Sequence, residues 1–398
     1  MAPDSETLVN EITGAELVGR ITALGPKLAE RRLKAAQDRR VSEETIAELI
    51  DAQVFRACQP RRHGGFELPF GTHTDIAIEI ARFCGSTGWV AGIIGSHSWW
   101  IGKCHPDAQE EIYGDDQDAL IGGAFNSTRA TAEKVSGGYR ISGEWVFASG
   151  VDNCPWAAVA AGVPRENAPP DFTMFLLPRA DYEIRDVWHT PGLRGTGSNT
   201  IVTQDRFVPE HRAVSFANLS QRRSIGQSVN DGWTYRLPMT GVVHYSVAGP
   251  VIGMARGALE GFVAHVKGRD TLIERKKLQG LMNIQLRAAE ASAEVFAAQS
   301  IYDADLAMMR EAARADRDLT KEEFWRIKRN CGYIGTLCKQ ATRRLAEALG
   351  GSGLREDHRV HMAAADTMAA SAHMAVSWDM GGIPYGKLLL GLDPMAPA

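Results

Sequence analysis

Hydrophobic and polar positions divide the chain into three stretches of different period. In "AELVGRITALGPKLAERRLKAAQDRR" and "SEETIAELIDAQVFRA" apolar residues recur at i, i+3 and i+4, which predicts amphipathic helices. Ser42, followed by Glu44 and Thr45, is placed to cap the second. "THTDIAIEIARFCGSTGWVAGIIGSHSWWIGK" predicts two more helices, broken near Gly85-Ser86. The later one, from about Thr87 to Trp100, is apolar nearly all round and is expected to be buried. From about residue 120 the period shortens to two. "ATAEKVSGGYRISGEWVFASG" reads as a hairpin turning at residues 136–138, and "AAVAAGV", "FTMFLLPR", "YEIRDVW" and "NTIVTQDRFVP" read as further short strands. From about 240 the helical period returns. Gly249, Gly253, Gly257 and Gly261 fall every four residues on one helix, and helices are expected within 272–313, 321–349 and 360–378. The Ser-, Arg-, Gln- and Asn-rich stretch 219–231 is expected to be a mobile loop. The boundaries are therefore 1–118 for an N-terminal helical domain, 119–235 for a central β domain with the cleft, and 236–398 for a C-terminal helical bundle.

Composition narrows the function classes. The 398 residues are 44% hydrophobic and 23% charged, as in a soluble globular protein. A net charge of −4 gives no reason to expect nucleic acid or an anionic membrane as partner. Six cysteines without CxxC spacing read as reduced thiols, and the N-terminus lacks the pattern of a signal peptide, so a cytoplasmic location is expected. The apolar segment "VVHYSVAGPVIGMARGALEGFVAHV" carries His244, Arg256, Glu260 and His265, which argues against a membrane span.

No standard motif supplies chemistry. "GLRGTGS" at 192–198 is not GxGxxG and does not lead from strand to helix, so no Rossmann site is expected. His358 and His361 lie near Asp357 and Asp366 but match no strong ligand spacing, and no metal is expected. Ser149 in "ASGVD" is not on a GxSxG elbow. What remains are polar residues in apolar company: His97 in "GIIGSHSWW", Asn126 in "GGAFNST" and His373 in "SAHMAVSWD", expected on the last helix. Each has a plain structural alternative, respectively a satisfied core histidine, a turn former and an interface residue.

Taken together, the α–β–α order, "GGYRISGEWVFASGVDNCPW", "GLRGTGSNTIVTQDRFVPEHRAV" and "LGGSGL…AAADTMAASAHMAVSWD" resemble the acyl-CoA dehydrogenase fold. More narrowly they resemble its oxygen-using branch, the oxygenase components of two-component flavin monooxygenases such as 4-hydroxyphenylacetate 3-hydroxylase and dibenzothiophene monooxygenase. The resemblance runs from about residue 10 to 390. It implies an α+β fold and a reduced flavin, FADH2 or FMNH2, delivered by diffusion from a separate flavin reductase. With O2 as co-substrate it implies a C4a-hydroperoxyflavin that hydroxylates a small aromatic, of phenol or indole type. Ser149 would face flavin N5; His97 would contact substrate; His373 would lie near the oxygen adduct. Asn126 and Thr128 would lie along the flavin edge, and Arg269 with Gln279 would contact phosphate, often across a subunit boundary of a tetramer or dimer. Trp99, Trp100 and Met374 could line the substrate pocket or pack the core. Trp145, Phe147 and Trp156 would supply dry walls around Ser149, with some of the three facing the other side of the sheet.

The rival within the same fold is an acyl-CoA dehydrogenase or oxidase acting on a CoA thioester; N- or S-oxygenation is a further alternative, and a non-catalytic scaffold a third. The dehydrogenases need a glutamate as base, in many of them eight residues beyond an Arg-Asp pair. Here the pair is Ala365-Asp366, eight residues on is Met374, and no glutamate follows Glu356. Relatives also often carry an Arg-rich segment where this chain has "HRVHMAAADT", with Met362 and Ala365 in place of two arginines.

Overall fold

The computed structural model describes residues 12–126, 129–271 and 275–396. Five helices come first: α1 (Gly14–Asp38), α2 (Glu43–Asp51), α3 (Thr72–Phe83), α4 (Gly85–Ile101) and α5 (Pro106–Tyr113). Eight strands follow: β1 (Ile121–Ala124), β2 (Thr131–Val135), β3 (Gly138–Ala148), β4 (Trp156–Arg165), β5 (Ala168–Pro178), β6 (Glu183–Arg185), β7 (Asn199–Pro209) and β8 (Ala213–Ser215). Two single turns, α6 (Phe216–Leu219) and α7 (Met239–Val242), lead into the long helices α8 (Tyr245–Val266), α9 (Met282–Arg314) and α10 (Lys321–Ala348), then α11 (Arg359–Ala370) and α12 (Trp378–Leu389). The first and last helical stretches bury their apolar faces in one continuous core, from Leu17 to Val376.

Local chemistry sets these boundaries. The Ser42 side chain accepts the Thr45 N–H, as its position predicted, and Thr320 with Glu323 closes a capping box at the start of α10. The glycine stripe of α8 lies against α3: a Cβ on Gly253 would come within 2.1 Å of the Ile78 carbonyl, and one on Gly257 within 2.2 Å of that of Arg82. Any side chain there would push the two helices apart. By length and hydropathy 239–266 could cross a membrane, but 67% of its apolar window is buried within the protein.

The strands form two four-stranded sheets, ordered β1-β4-β5-β8 and β2-β3-β7-β6. Their pairings are antiparallel except that β1 runs parallel to β4. A second core lies between them, with Trp145 at its centre, fully buried and donating its indole N–H to Ala160 O at 2.7 Å. Trp145 is thus no wall of a flavin site. Trp156, on β4, stacks under Arg212 instead. Of the three aromatics expected around Ser149, only Phe147 turns toward the cleft.

The stretch expected to be a mobile loop is tied down. Arg222 and Arg223 pair with Asp316, and Asn230 donates to Gly102 O and Gln109 Oε1. Lys103 reaches into this region from beneath.

Candidate active site

A cavity of about 510 Å³ opens where α4, both sheets, the 239–247 segment, α10 and the turn after α11 meet. Phe125, Phe147, Phe172 and Phe216 form an aromatic box on the sheet side; Phe216 meets Phe172 at 4.8 Å and Phe125 at 5.6 Å between ring centroids. Phe147 reaches it through a backbone irregularity. The β3–β7 register shifts between Trp145 and Ala148, and Phe147 sits there at φ +71° with its ring more than half exposed. A bulky residue in that conformation costs about 1–3 kcal/mol, and bulges commonly re-aim side chains beside functional clefts.

Three histidines bring polarity to this apolar space, and their backbone bonds fix their roles. His97 Nδ1 donates to Ile121 O at 2.7 Å, so Nε2 is left with its lone pair. His244 does the same, with Nδ1 on Gly241 O at 2.8 Å. His373 is the reverse: its Nδ1 accepts the Ala375 N–H at 3.1 Å, so in the neutral ring Nε2 carries the hydrogen. Burial holds all three pKa values at about 4 against the usual 6.5, with the charge of Lys328 adding to the effect at His244. At neutral pH the cavity therefore holds two imidazole acceptors and one imidazole donor. His373 is in the turn after α11, not on a helix as expected, because α11 ends at Ala370. That turn is what folds the ring back against Trp89, 5.5 Å away and edge-on.

Ser149 does not line the cavity. It is buried two residues beyond Phe147, in a relay joining both quoted motifs. The Trp89 indole donates to Ser149 Oγ at 3.2 Å; Ser149 and Ser198 hydroxyls are 2.7 Å apart; Ser198 and Thr196 are 2.6 Å apart; Thr196 donates to Leu193 O at 2.9 Å. Because Thr196 gives its hydrogen to a carbonyl, the direction propagates back: Ser198 donates to Thr196, and Ser149 to Ser198. One acceptor position of Ser149 stays free. Gly150 (φ +72°) lets this corner close, since a Cβ there would lie 2.6 Å from Val90.

The remaining expectations divide. Asn126, Trp100 and Met374 line the cavity. Trp99 does not: one residue along the helix it turns away, donating to Thr234 O at 2.9 Å and packing on Phe70. Arg269 and Gln279 are exposed residues between α8 and α9, and neither lines the cavity of its own chain. Thr128 is outside the described residues. His358 and His361 do not converge, since His358 caps α11 and meets His265 at 3.0 Å while His361 faces a second cavity of about 130 Å³. Met362 and Ala365, standing for the two arginines, line that second cavity beside Asp366, which binds the Leu193 N–H at 2.6 Å. Sequence reasoning missed His244 and Lys328 as cavity residues. It placed His244 in an apolar helix, and Lys328 looks like any solvated cation of an Arg- and Lys-rich helix.

The descriptions of related proteins agree with one another. A flavin-dependent monooxygenase, oxygenase subunit HsaA, of Rhodococcus jostii (strain RHA1) is 32% identical, covering 94% of this chain and 98% of its own. This chain belongs to the oxygenase components of flavin-dependent monooxygenases. An FADH(2)-dependent resorcinol hydroxylase, oxygenase component, of Rhizobium sp. (strain MTP-10005) is also 32% identical, over 95% of each chain. The crystal structure of 3-HSA hydroxylase from Rhodococcus sp. RHA1 superposes with a TM-score of 0.90 at 31% identity, over 96% of this chain and 99% of that one. Residues 245–378 match the family described as "Acyl-CoA dehydrogenase, C-terminal domain". For a member of this oxygenase family the fold expectation holds: the architecture is acyl-CoA dehydrogenase-like, and the cofactor is reduced flavin.

Burial has a measurable consequence here. His97 and His73 are both buried, with pKa values held at about 4 and about 3. The folded protein leaves them neutral at pH 5, whereas the unfolded chain protonates them below about 6.5. Their contribution is intact well above pH 6.5 and is lost as pH falls toward 4 for His97 and toward 3 for His73. Each should remove about 2 kcal/mol of stability between pH 7.5 and pH 5. Urea midpoints at the two pH values check this, and a loss undiminished in His97→Asn would exclude His97 as a source.

Proposed function

We propose that this oxygenase hydroxylates a small aromatic of phenol or indole type, using reduced flavin supplied by a separate reductase. The observation that carries the reading is the cavity itself: an aromatic box with neutral imidazoles and, among the described lining residues, no aspartate or glutamate. An acyl-CoA dehydrogenase needs a carboxylate base at its substrate's α-carbon, and none is available there. The out-turned Phe147 ring suits a flat isoalloxazine, and Phe147, Asn126, Ser149 and His373 are the residues that would hold it. When bound, the reduced flavin supplies the electrons with which one atom of O2 enters the substrate and the other leaves as water.

The side chains do the rest. His97 Nε2 accepts hydrogen from the substrate O–H or N–H and so enriches the ring in electrons. The His373 Nε2–H donates toward the oxygen that leaves. Where a bound ring extends past the Phe147 end of the cavity, Ser149 would offer its free acceptor position to the hydrogen at flavin N5, and the relay behind it would keep the hydroxyl from turning away. The phenylalanine walls keep water out. The exposed apolar residues of α12 and its extension, among them Ile383, Leu389 and Leu390, suit burial in a homo-oligomer, a tetramer or a dimer. Arg269 and Gln279 would then meet flavin phosphate of a neighbouring subunit.

The test is product formation from a panel of phenols and indoles, with reductase, NAD(P)H and either FMN or FAD. Oxidation of an acyl-CoA thioester in its place would overturn the reading. For Ser149→Ala, loss of one hydrogen bond of about 1 kcal/mol predicts a roughly fivefold rise in hydrogen peroxide released per product. An unchanged ratio would remove Ser149 from this role.

A further inference from the structure

Lys328 lies on α10 and lines the cavity. Its ammonium sits 4.8 Å from the Trp325 ring centroid and 5.6 Å from that of Phe324. Neighbouring cations on the same helix have partners: Arg326 pairs with Asp305 at 3.4 Å, and Arg329 donates to Asn330 Oδ1 at 2.6 Å. Among the described residues no carboxylate lies within ion-pair distance of Lys328, and none lines the cavity. Two aromatic faces offset part of the cost of half-burying this charge, but they do not neutralise it. Its charge is felt at His244, which leaves a lone pair on Nε2 nearby and has no positive charge of its own at neutral pH. Lys328 is thus a cation held against a ligand-sized apolar space, with no counter-ion among the described residues.

We propose that Lys328 pairs with an anionic group of the substrate, so that the substrate is a phenol carrying a carboxylate. The hydroxyl end meets His97 on the α4 side, and the acid end meets Lys328 on the α10 side. These groups come from different elements and line the same cavity, together with the aromatic box. A charge-assisted hydrogen bond in such surroundings favours the acid over its neutral ester by about tenfold or more in affinity.

This rests on the aromatic-hydroxylase reading, and the experiment separates the two. Calorimetry on the full chain, without turnover, compares 4-hydroxybenzoate, 4-hydroxyphenylacetate and 3-(4-hydroxyphenyl)propanoate with their methyl esters. The expected result is at least one acid binding about tenfold tighter than its ester, with that preference lost in Lys328→Met and retained in Lys328→Arg. Acids that bind no tighter than their esters, a panel in which nothing binds included, overturn the proposal. So does a Lys328→Met variant that keeps the preference, or one that weakens reduced-flavin binding instead. Hydroxylation of neutral phenols with no acid preference would sink the Lys328 proposal alone; oxidation of acyl-CoA thioesters would sink the hydroxylase reading as well.

Discussion

Replacing His97 by alanine is expected to lower substrate oxygenation about 10²- to 10⁴-fold, the usual range for a positioned general base. The geometry supplies a control that separates chemistry from packing. His97 does two things at once: Nδ1–H ties α4 to Ile121 O, the first residue of β1, and Nε2 keeps a lone pair. An asparagine can place its amide N–H near Nδ1 and so keep the structural bond, but it has nothing where Nε2 was. If His97 is only a satisfied core residue, His97→Asn should restore most of what His97→Ala loses. If it is the base, both variants should be slow on a phenol or N–H substrate. The rate of product formation at saturating substrate decides, with urea midpoints showing that His97→Asn folds normally. Full activity in His97→Asn would return His97 to the core.

The same residue shows what sequence could and could not convey. A histidine inside a helix apolar on every side signals itself by being out of place, and so does a serine between an aromatic strand and a glycine. The α–β–α order was legible from the change of period at about 120 and again at about 240. Which way neighbouring side chains point was not. A helix buried all round has no polar face to orient it, so nothing in "SHSWW" says that Trp100 meets the cavity and Trp99 turns away. The end of α11 was hidden because Ala369, Ala370, Ser371 and Ala372 do not punctuate a helix, so His373 was placed one turn too far into regular structure. Phe147 depends on a register shift between β3 and β7 that no local pattern announces. Lys328 and His244 are far apart in sequence and come together only through the packing of α7 and α8 on α10, where a Cβ on Gly241 would touch Phe324 at 2.8 Å.

Lys103→Met is expected to destabilise the protein by about 3 kcal/mol or more and to loosen the cavity from behind. Lys103 has no exposed surface, and its Nζ donates to three backbone carbonyls: Gln221 O at 3.0 Å, Tyr235 O at 2.7 Å and Leu237 O at 2.9 Å. Burial draws its pKa down to about 7. Losing the proton would leave two N–H groups for three carbonyls, so the hydrogen bonds oppose what burial favours. Methionine fills much the same volume and offers no donor. Three carbonyls would be left unpartnered, each at about 1–3 kcal/mol if it stays dry. The segment they belong to leads directly into Met239, Thr240, Gly241 and His244, all of which line the cavity. The lysine therefore holds one wall in register without touching substrate. A positioning role of this kind predicts two coupled readings: a lower urea midpoint, and more hydrogen peroxide released per product as water gains entry. An unfolding free energy within about 1 kcal/mol of the parent would show that the carbonyls find other donors. A lower midpoint with unchanged coupling would confine Lys103 to stability and leave the 239–247 wall to be positioned by the packing of α8 against α3 and α4.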